Sequence, residues 1–221
     1  MTLTSYTLQS LQTDLTNLLG DKNQTSFSLV QLTDAINLGI KRLCALKHYT
    51  YQEAAVPVTQ TTTGESYGIA PLYSASPSFD YRDYIEIRRC YWQGTYQSTN
   101  YTPTVELVHS TLETEAERNA NWRALAGLPE RWLQRDGATI LVTPFSGGYL
   151  PTTNVLTVCY IQAPTLLVLP ADLPDPRIPY PVQQYIKYAA ASWLLSLDQS
   201  DTTALQTAKM YMDTFVGLVG V

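Results

Sequence analysis

Helical patterning at both ends of the chain, with strand patterning between, constrains its fold more than any single motif. Leu8, Leu11, Leu15, Leu18 and Leu19 fall on one helix face. Gln9, Gln12, Thr13, Asp14 and Asn17 supply the polar face, and Gly20-Asp21-Lys22-Asn23 ends the run. A second helix opens with Ser28 as cap, Gln31 placed to reach back to the cap amide, and Phe27 and Leu32 at the positions of a hydrophobic staple. Leu32, Ile36, Ile40 and Leu43 form its inward stripe.

The last third repeats this grammar. Pro179 and Pro181 precede a run in which Val182, Tyr185, Ile186, Ala189, Ala190, Trp193, Leu194 and Leu197 keep helical spacing for about four turns. Pro181 suits a first helical position, where its missing N–H has no intrahelical partner. The small Ala189-Ala190-Ala191 surface would let a neighbouring helix come close. Asp201 is placed to cap a final helix with the stripe Leu205, Ala208, Met212, Phe215 and Val219. Isolated helices of this length are marginal in water. Packing the two terminal pairs on each other therefore gives the expected bundle.

Between them, Tyr, Thr, Val and Ile punctuated by Gly and Pro give strand-and-turn composition. Candidate strands are Tyr51–Val58, Tyr84–Trp92, Thr104–Val108, Ala138–Thr143 and Val155–Ile161. The last two read as a hairpin across Pro144-Phe145-Ser146-Gly147-Gly148. Ser110 and Glu113 form a capping-box pair that predicts one helix, running to about Ala126 and ending at Gly127. The stretch from Thr95 to Thr102 reads as loop, and Thr59–Asp80 is long for a plain hairpin. The expected fold is α+β: residues 1–48 and 178–221 as a helical bundle domain, residues 49–163 as an inserted β-rich domain with one short helix, and residues 164–177 as a proline-rich connecting arm.

Composition narrows the function classes. The 221 residues carry a net charge of −5, and the 14 Lys and Arg are scattered, which tells against a protein that grips nucleic acid. Arg88-Arg89 is a basic pair on a strand, read as a solvated or ion-paired face. Cys44, Cys90 and Cys159 sit within apolar patterns and read as buried free thiols, consistent with synthesis in a reducing host cytoplasm. No apolar run is long enough to span a bilayer, and no secretory signal pattern opens the chain.

Catalytic patterns are weak. His109-Ser110 lie on a strand end whose neighbours face opposite sides, and Ser110 is expected to cap a helix. Glu113 and Glu117 share a helix face with Glu115 and Arg118 nearby, and read as an exposed charged side. Asp80 with Asp83, and Asp172 with Asp175, lack the ligand density and Gly turn of a calcium loop. No Cys/His metal spacing, phosphate loop or dinucleotide fingerprint is present, so no cofactor is expected. The 16 Tyr suit strands, subunit contacts or a carbohydrate-binding face.

Four stretches in order resemble the tailed-phage head–tail connector (adaptor) proteins. They are Leu32-Thr33-Asp34-Ala35-Ile36-Asn37, Gly127-Leu128-Pro129-Glu130-Arg131-Trp132 followed by Ala138–Pro144, Val155–Pro164 with its Tyr160, and Ile178-Pro179 leading into an Ala-rich helix. The resemblance covers nearly the whole chain. It implies a non-enzymatic virion protein at the head–tail junction, assembled as a ring of twelve copies on the portal, extending the DNA channel without specific DNA binding and presenting a surface to the next tail or nozzle protein. It also implies that the C-terminal segment reaches a portal or neighbour. Phe215, Val216, Leu218, Val219 and Val221 are the candidate contacts there, with Gly217 and Gly220 suggesting an adaptable tail. The proline-rich stretch reads as a stiff arm laid over a surface, with Pro170, Pro174, Pro176 and Arg177 as candidate subunit contacts. The rival readings are a tail-associated carbohydrate-binding module using the Tyr-rich β region, and a hydrolase built on a carboxylate pair.

Overall fold

The computed structural model describes residues 6–21, 25–61, 64–68, 84–95, 103–136, 139–144, 154–197 and 200–220. In chain order it contains α1 (Leu8–Leu19), α2 (Leu29–Lys47), β1 (Tyr51–Thr61), β2 (Gly64–Gly68), β3 (Tyr84–Gln93) and β4 (Thr104–His109). These are followed by α3 (Leu112–Arg118), a 3-10 turn at Trp122–Ala124, β5 (Arg131–Asp136), β6 (Thr139–Thr143) and β7 (Val155–Gln162). The chain then continues through α4 (Tyr180–Gln183), α5 (Ile186–Leu195) and α6 (Thr202–Val219). It divides into two compact units, residues 1–50 with 163–221, and residues 51–162.

In the helical unit the local chemistry of each helix end follows its sequence. Ser28 Oγ accepts from Gln31 N while Gln31 Oε1 accepts from Ser28 N, a complete capping box. Gly20 ends α1 at φ 72°, donating its N–H to Asn17 and Thr16 oxygens. Asp201 Oδ1 accepts from Thr203 and Ala204 N–H at 2.8 and 3.1 Å, capping α6.

Packing centres on α5, which meets α1, α2 and α6. Gly39 makes the α2–α5 approach possible: a Cβ there would sit 3.0 Å from Ile186 O and 3.5 Å from Ala190 N. The small residues expected at 189–191 are buried at this crossing. Leu8, Leu11, Leu15, Leu32, Ile36, Ile40, Leu43, Ile186, Leu194 and Phe215 complete the interior, so N- and C-terminal helices share one core. Cys44 lies in it, and burial pushes its thiol up to about 11.

The expected four-turn helix after Pro181 is instead broken. Pro179 caps α4, so Pro181 is its second residue, and Tyr185 N–H bonds Val182 O while Tyr188 N–H bonds Tyr185 O. These three-residue spacings tighten the chain between α4 and α5. The side chain of Gln183 is drawn away to Ile178 O and Tyr6 N.

The other unit is a closed barrel in the order β1-β2-β6-β5-β4-β3-β7, in which each strand has a neighbour on both sides. All neighbours are antiparallel except β4 and β5, which run parallel through Val108↔Arg131 and His109↔Trp132. Cys90, Trp92, Leu107, Trp132, Ile140, Val142, Leu156, Val158 and Tyr160 form its core, recurring at every second residue of β3, β6 and β7. Arg88 and Arg89 are ion-paired with Glu86 and Glu106, as the sequence suggested.

Three expectations fail here. β6 and β7 are not a hairpin: β6 pairs with β2 and β5, β7 with β1 and β3. Strands β2 and β5 were not anticipated; β1 runs past Val58 and pairs with β2 up to Thr61↔Gly64. The helix after β4 is capped by Thr111, not Ser110, and ends at Arg118. Residues 69–83 including Asp80 and Asp83, residues 96–102, residues 145–153 and Val221 lie outside the described residues.

Candidate docking surface

The proline-rich connection between β7 and α4 is locked onto the helical unit by backbone groups. Asn37, on α2, uses both ends of its amide: Nδ2 donates to Leu167 O at 3.0 Å, and Oδ1 accepts from Leu167 N at 2.8 Å. Leu167 is thereby pinned, with its side chain buried. Beyond it the chain closes a tight loop. Asp172 Oδ2 accepts from the N–H groups of Val168 and Leu169, both at 2.7 Å, and Asp172 N–H donates to Leu169 O.

This loop then caps α1. The first amides of a helix have no intrahelical acceptor. Here Leu8 N–H finds Asp172 O at 2.8 Å, Gln9 N–H finds Pro170 O at 3.0 Å, and Ser10 N–H finds Thr7 Oγ1 at 3.1 Å. Two of the three acceptors come from the arm, some 160 residues along the chain. At the arm's far end Asp175 holds Arg177 in a two-pronged pair, Nε to Oδ1 at 2.9 Å and Nη2 to Oδ2 at 2.7 Å. The carboxyls respond accordingly. The amides of Val168 and Leu169 lower the Asp172 pKa, and Arg177 lowers that of Asp175.

With its backbone so committed, the arm turns apolar side chains outward. Leu166, Val168, Leu169 and Leu173 are all exposed, and Leu29 and Val30 at the start of α2 are exposed as well. A groove bordered by Gln9, Gln12, Thr13, Leu29 and Pro170 joins the arm to α1 and α2. Of the four arm residues singled out in the sequence, Pro170, Pro176 and Arg177 lie on the surface, and Pro174 is buried. The outward leucines beside them were missed. The signal was present as five apolar residues, Leu166–Leu169 and Leu173, in a stretch with no periodicity to bury them.

The C-terminal residues divide differently. The segment is helix through Val219, capped by Gly220 at φ 74°, and not a loose tail. Phe215 and Val219 are buried in the helical core, Val216 is half-buried, and Leu218 is exposed; Val221 lies outside the described residues. Lys47 Nζ donates to Gly220 O at 2.6 Å, tying the end of α6 to the end of α2.

In the barrel unit Ser110 Oγ donates to Glu115 Oε1 at 2.6 Å, so it serves neither His109 nor the cap expected of it. His109 lies against Trp132 instead, ring centroids 4.5 Å apart. Glu115 was expected on an exposed charged face. Its carboxylate is buried, because Arg131 Nε at 3.0 Å and Ser110 satisfy it there. Glu113 and Glu117 do face solvent. Among the described residues, no three His, Cys, Asp or Glu side chains converge as a metal site, and no helix is long and apolar enough to cross a membrane. Several tyrosines are occupied internally: Tyr6 stacks on Tyr180 at 5.3 Å, Tyr188 approaches Tyr211, and Tyr160 fills the barrel.

The family model described as SU10 adaptor protein matches residues 6–219, through both units. No curated protein matches the chain.

Proposed function

Because the chain belongs to the SU10 adaptor protein family, a family of phage adaptor proteins found in the virion, we propose that it is the head–tail connector, assembling as a ring of twelve copies on the portal. The ring extends the DNA channel and offers the next tail protein its attachment surface. Its work is mechanical: no bond is made or broken, and DNA passes a net-acidic protein without being gripped. The observation that carries this reading is the match from residue 6 to residue 219, which takes in the helical unit, the inserted barrel and the arm together.

Two features of the helical unit support it. The arm is rigidly held and apolar on its outer side, as a contact element must be if docking is not to cost ordering entropy. The end of α6 leaves Leu218 outward, while Phe215 and Val219 keep the helix on its own core. Contact with the portal or a neighbour therefore falls to Leu218 and the arm's surface residues.

Binding assays separate this from the carbohydrate-binding reading. The connector binds portal particles and retains no oligosaccharide. A chain that ignores portal and holds a glycan as a monomer overturns the proposal.

A further inference from the structure

Among the described residues of the helical unit, two apolar surfaces carry no partner, and they do not coincide. The first is the ridge of the arm. Leu166, Val168, Leu169 and Leu173, with Leu29 and Val30, are each between 44 and 69 % exposed. From those fractions the ridge presents on the order of 600 Å² of apolar surface. That matches the largest patches found on monomers and approaches the roughly 800 Å² that one partner gives a stable interface. The second surface is the outer side of α6, where Met210 and Leu218 are exposed and Gly217 lies two helical turns from Met210. Among the described residues, nothing lies within 4 Å of where a Gly217 Cβ would be. A glycine at an exposed position inside a helix is destabilising relative to alanine. No packing among the described residues calls for it, whereas close approach of another surface would.

We propose that these are the two halves of one contact between copies of this chain: the arm ridge of one copy seats across Met210, Gly217 and Leu218 of the next. This rests on the ring assembly proposed above and assigns the faces that meet in it. A second copy is the occupant that the areas and positions favour. The arm rests on α1 and α2, whereas α6 packs on α5, so each copy offers a ridge and a seat at different places. Unlike surfaces on one molecule associate head to tail, the kind of contact that forms a ring when the rotation between copies closes and an open filament when it does not. An arm pairing with itself would leave the α6 seat uncovered. The arm's hydrogen bonds to Asn37 and to the first amides of α1 fix the ridge before docking, so little freedom is lost on contact.

Two surface variants test the pairing. Leu169→Lys with Leu173→Lys disables the ridge; Met210→Lys with Leu218→Lys disables the seat. All four residues are exposed, so each variant should keep the wild-type circular dichroism and melting temperature. Sedimentation of the chain, alone and on portal particles, reads the number of associated copies. Each variant by itself should associate at least tenfold more weakly than wild type. A one-to-one mixture should recover two-copy species and nothing larger, because one intact ridge can meet one intact seat and the remaining faces are both disabled. As a second readout, Leu169→Cys and Met210→Cys in one chain should cross-link with a short bis-maleimide into a ladder, while either alone should not. Rings formed normally by either lysine variant overturn the pairing and leave the ring itself standing. Self-cross-linking of Leu169→Cys alone overturns it in favour of like-to-like contact. Wild-type chain that never associates, with portal or without, overturns both.

Discussion

Replacing Asn37 with alanine should loosen the arm at a point far from the replaced side chain. Asn37 makes two hydrogen bonds to one residue, Leu167, at 2.8 and 3.0 Å in a partly buried position. Each such bond contributes about 1 kcal/mol net, and somewhat more where water cannot replace the lost partner. Asn37→Ala should therefore cost about 2 kcal/mol, and the loss should be local, because the barrel is a separate unit. The clearest readout is not Leu167 but Leu8 and Gln9, whose amides depend on the arm for their acceptors, Asp172 O and Pro170 O. If the arm opens more often, those two amides open with it. Native-state hydrogen exchange at Leu8 and Gln9 should accelerate roughly 30-fold, which is the factor 2 kcal/mol represents. Asn37→Asp should not rescue them: its carboxylate still accepts from Leu167 N but sets a second oxygen against Leu167 O. Exchange at Leu8 and Gln9 within twofold of wild type would refute the claim that Asn37 holds the arm.

Other outcomes follow from single contacts. Gly39→Val should destabilise the helical unit by about 2 kcal/mol, since its side chain would press on Ile186 O; for a chain this size that lowers the melting temperature by roughly 4–8 °C. Glu115→Ala should cost the barrel unit about 2 kcal/mol by stranding Ser110 Oγ and leaving the Arg131 guanidinium only its exposed partner Glu130, measured as a lower urea midpoint. The lowered pKa values of Asp172 and Asp175 mean the unfolded chain takes up their protons first as pH falls. Their stabilisation is complete above pH of about 4 and is lost as pH drops through the lower folded values. Asp172→Asn should flatten that acid dependence in urea titrations compared at pH 6 and pH 3.

Helix ends were the most legible part of the sequence, because capping is local chemistry. Ser28 with Gln31, Asp201 and Gly20 each satisfy backbone groups within a few residues, and each acts where the sequence put it. What spacing could not reveal was competition between local choices. Thr111 and Ser110 are both able caps; Ser110 was lost to Glu115 because Arg131, sixteen residues on, made burial of that carboxylate favourable. The same distance problem hid β5. Trp132 and Leu133 are both buried, so the strand lacks the in–out alternation that marks a half-buried one. The supposed β6–β7 hairpin failed because pairing partners in a closed barrel are set by its shear and order, not by proximity along the chain.

The candidate surface was half visible. Prolines at 170, 174 and 176 signalled a stiff segment, but Asn37 was read only as the end of a family motif. Its task, pairing with Leu167 from 130 residues away, is a long-range contact that periodicity does not encode. The apolar end of the chain suggests an adaptable tail, yet it folds as helix through Val219. The stripe that includes Phe215 and Val219 already placed both in the core, and the two glycines that argued otherwise lie one inside α6 and one at its cap.

Mass measurement of the purified chain bound to portal particles tests the central claim most directly. The account predicts a closed ring of fixed copy number, twelve per portal, carrying one chain in each position. A single chain per portal, an open-ended series of copy numbers, or a monomer that never joins the particle would contradict it.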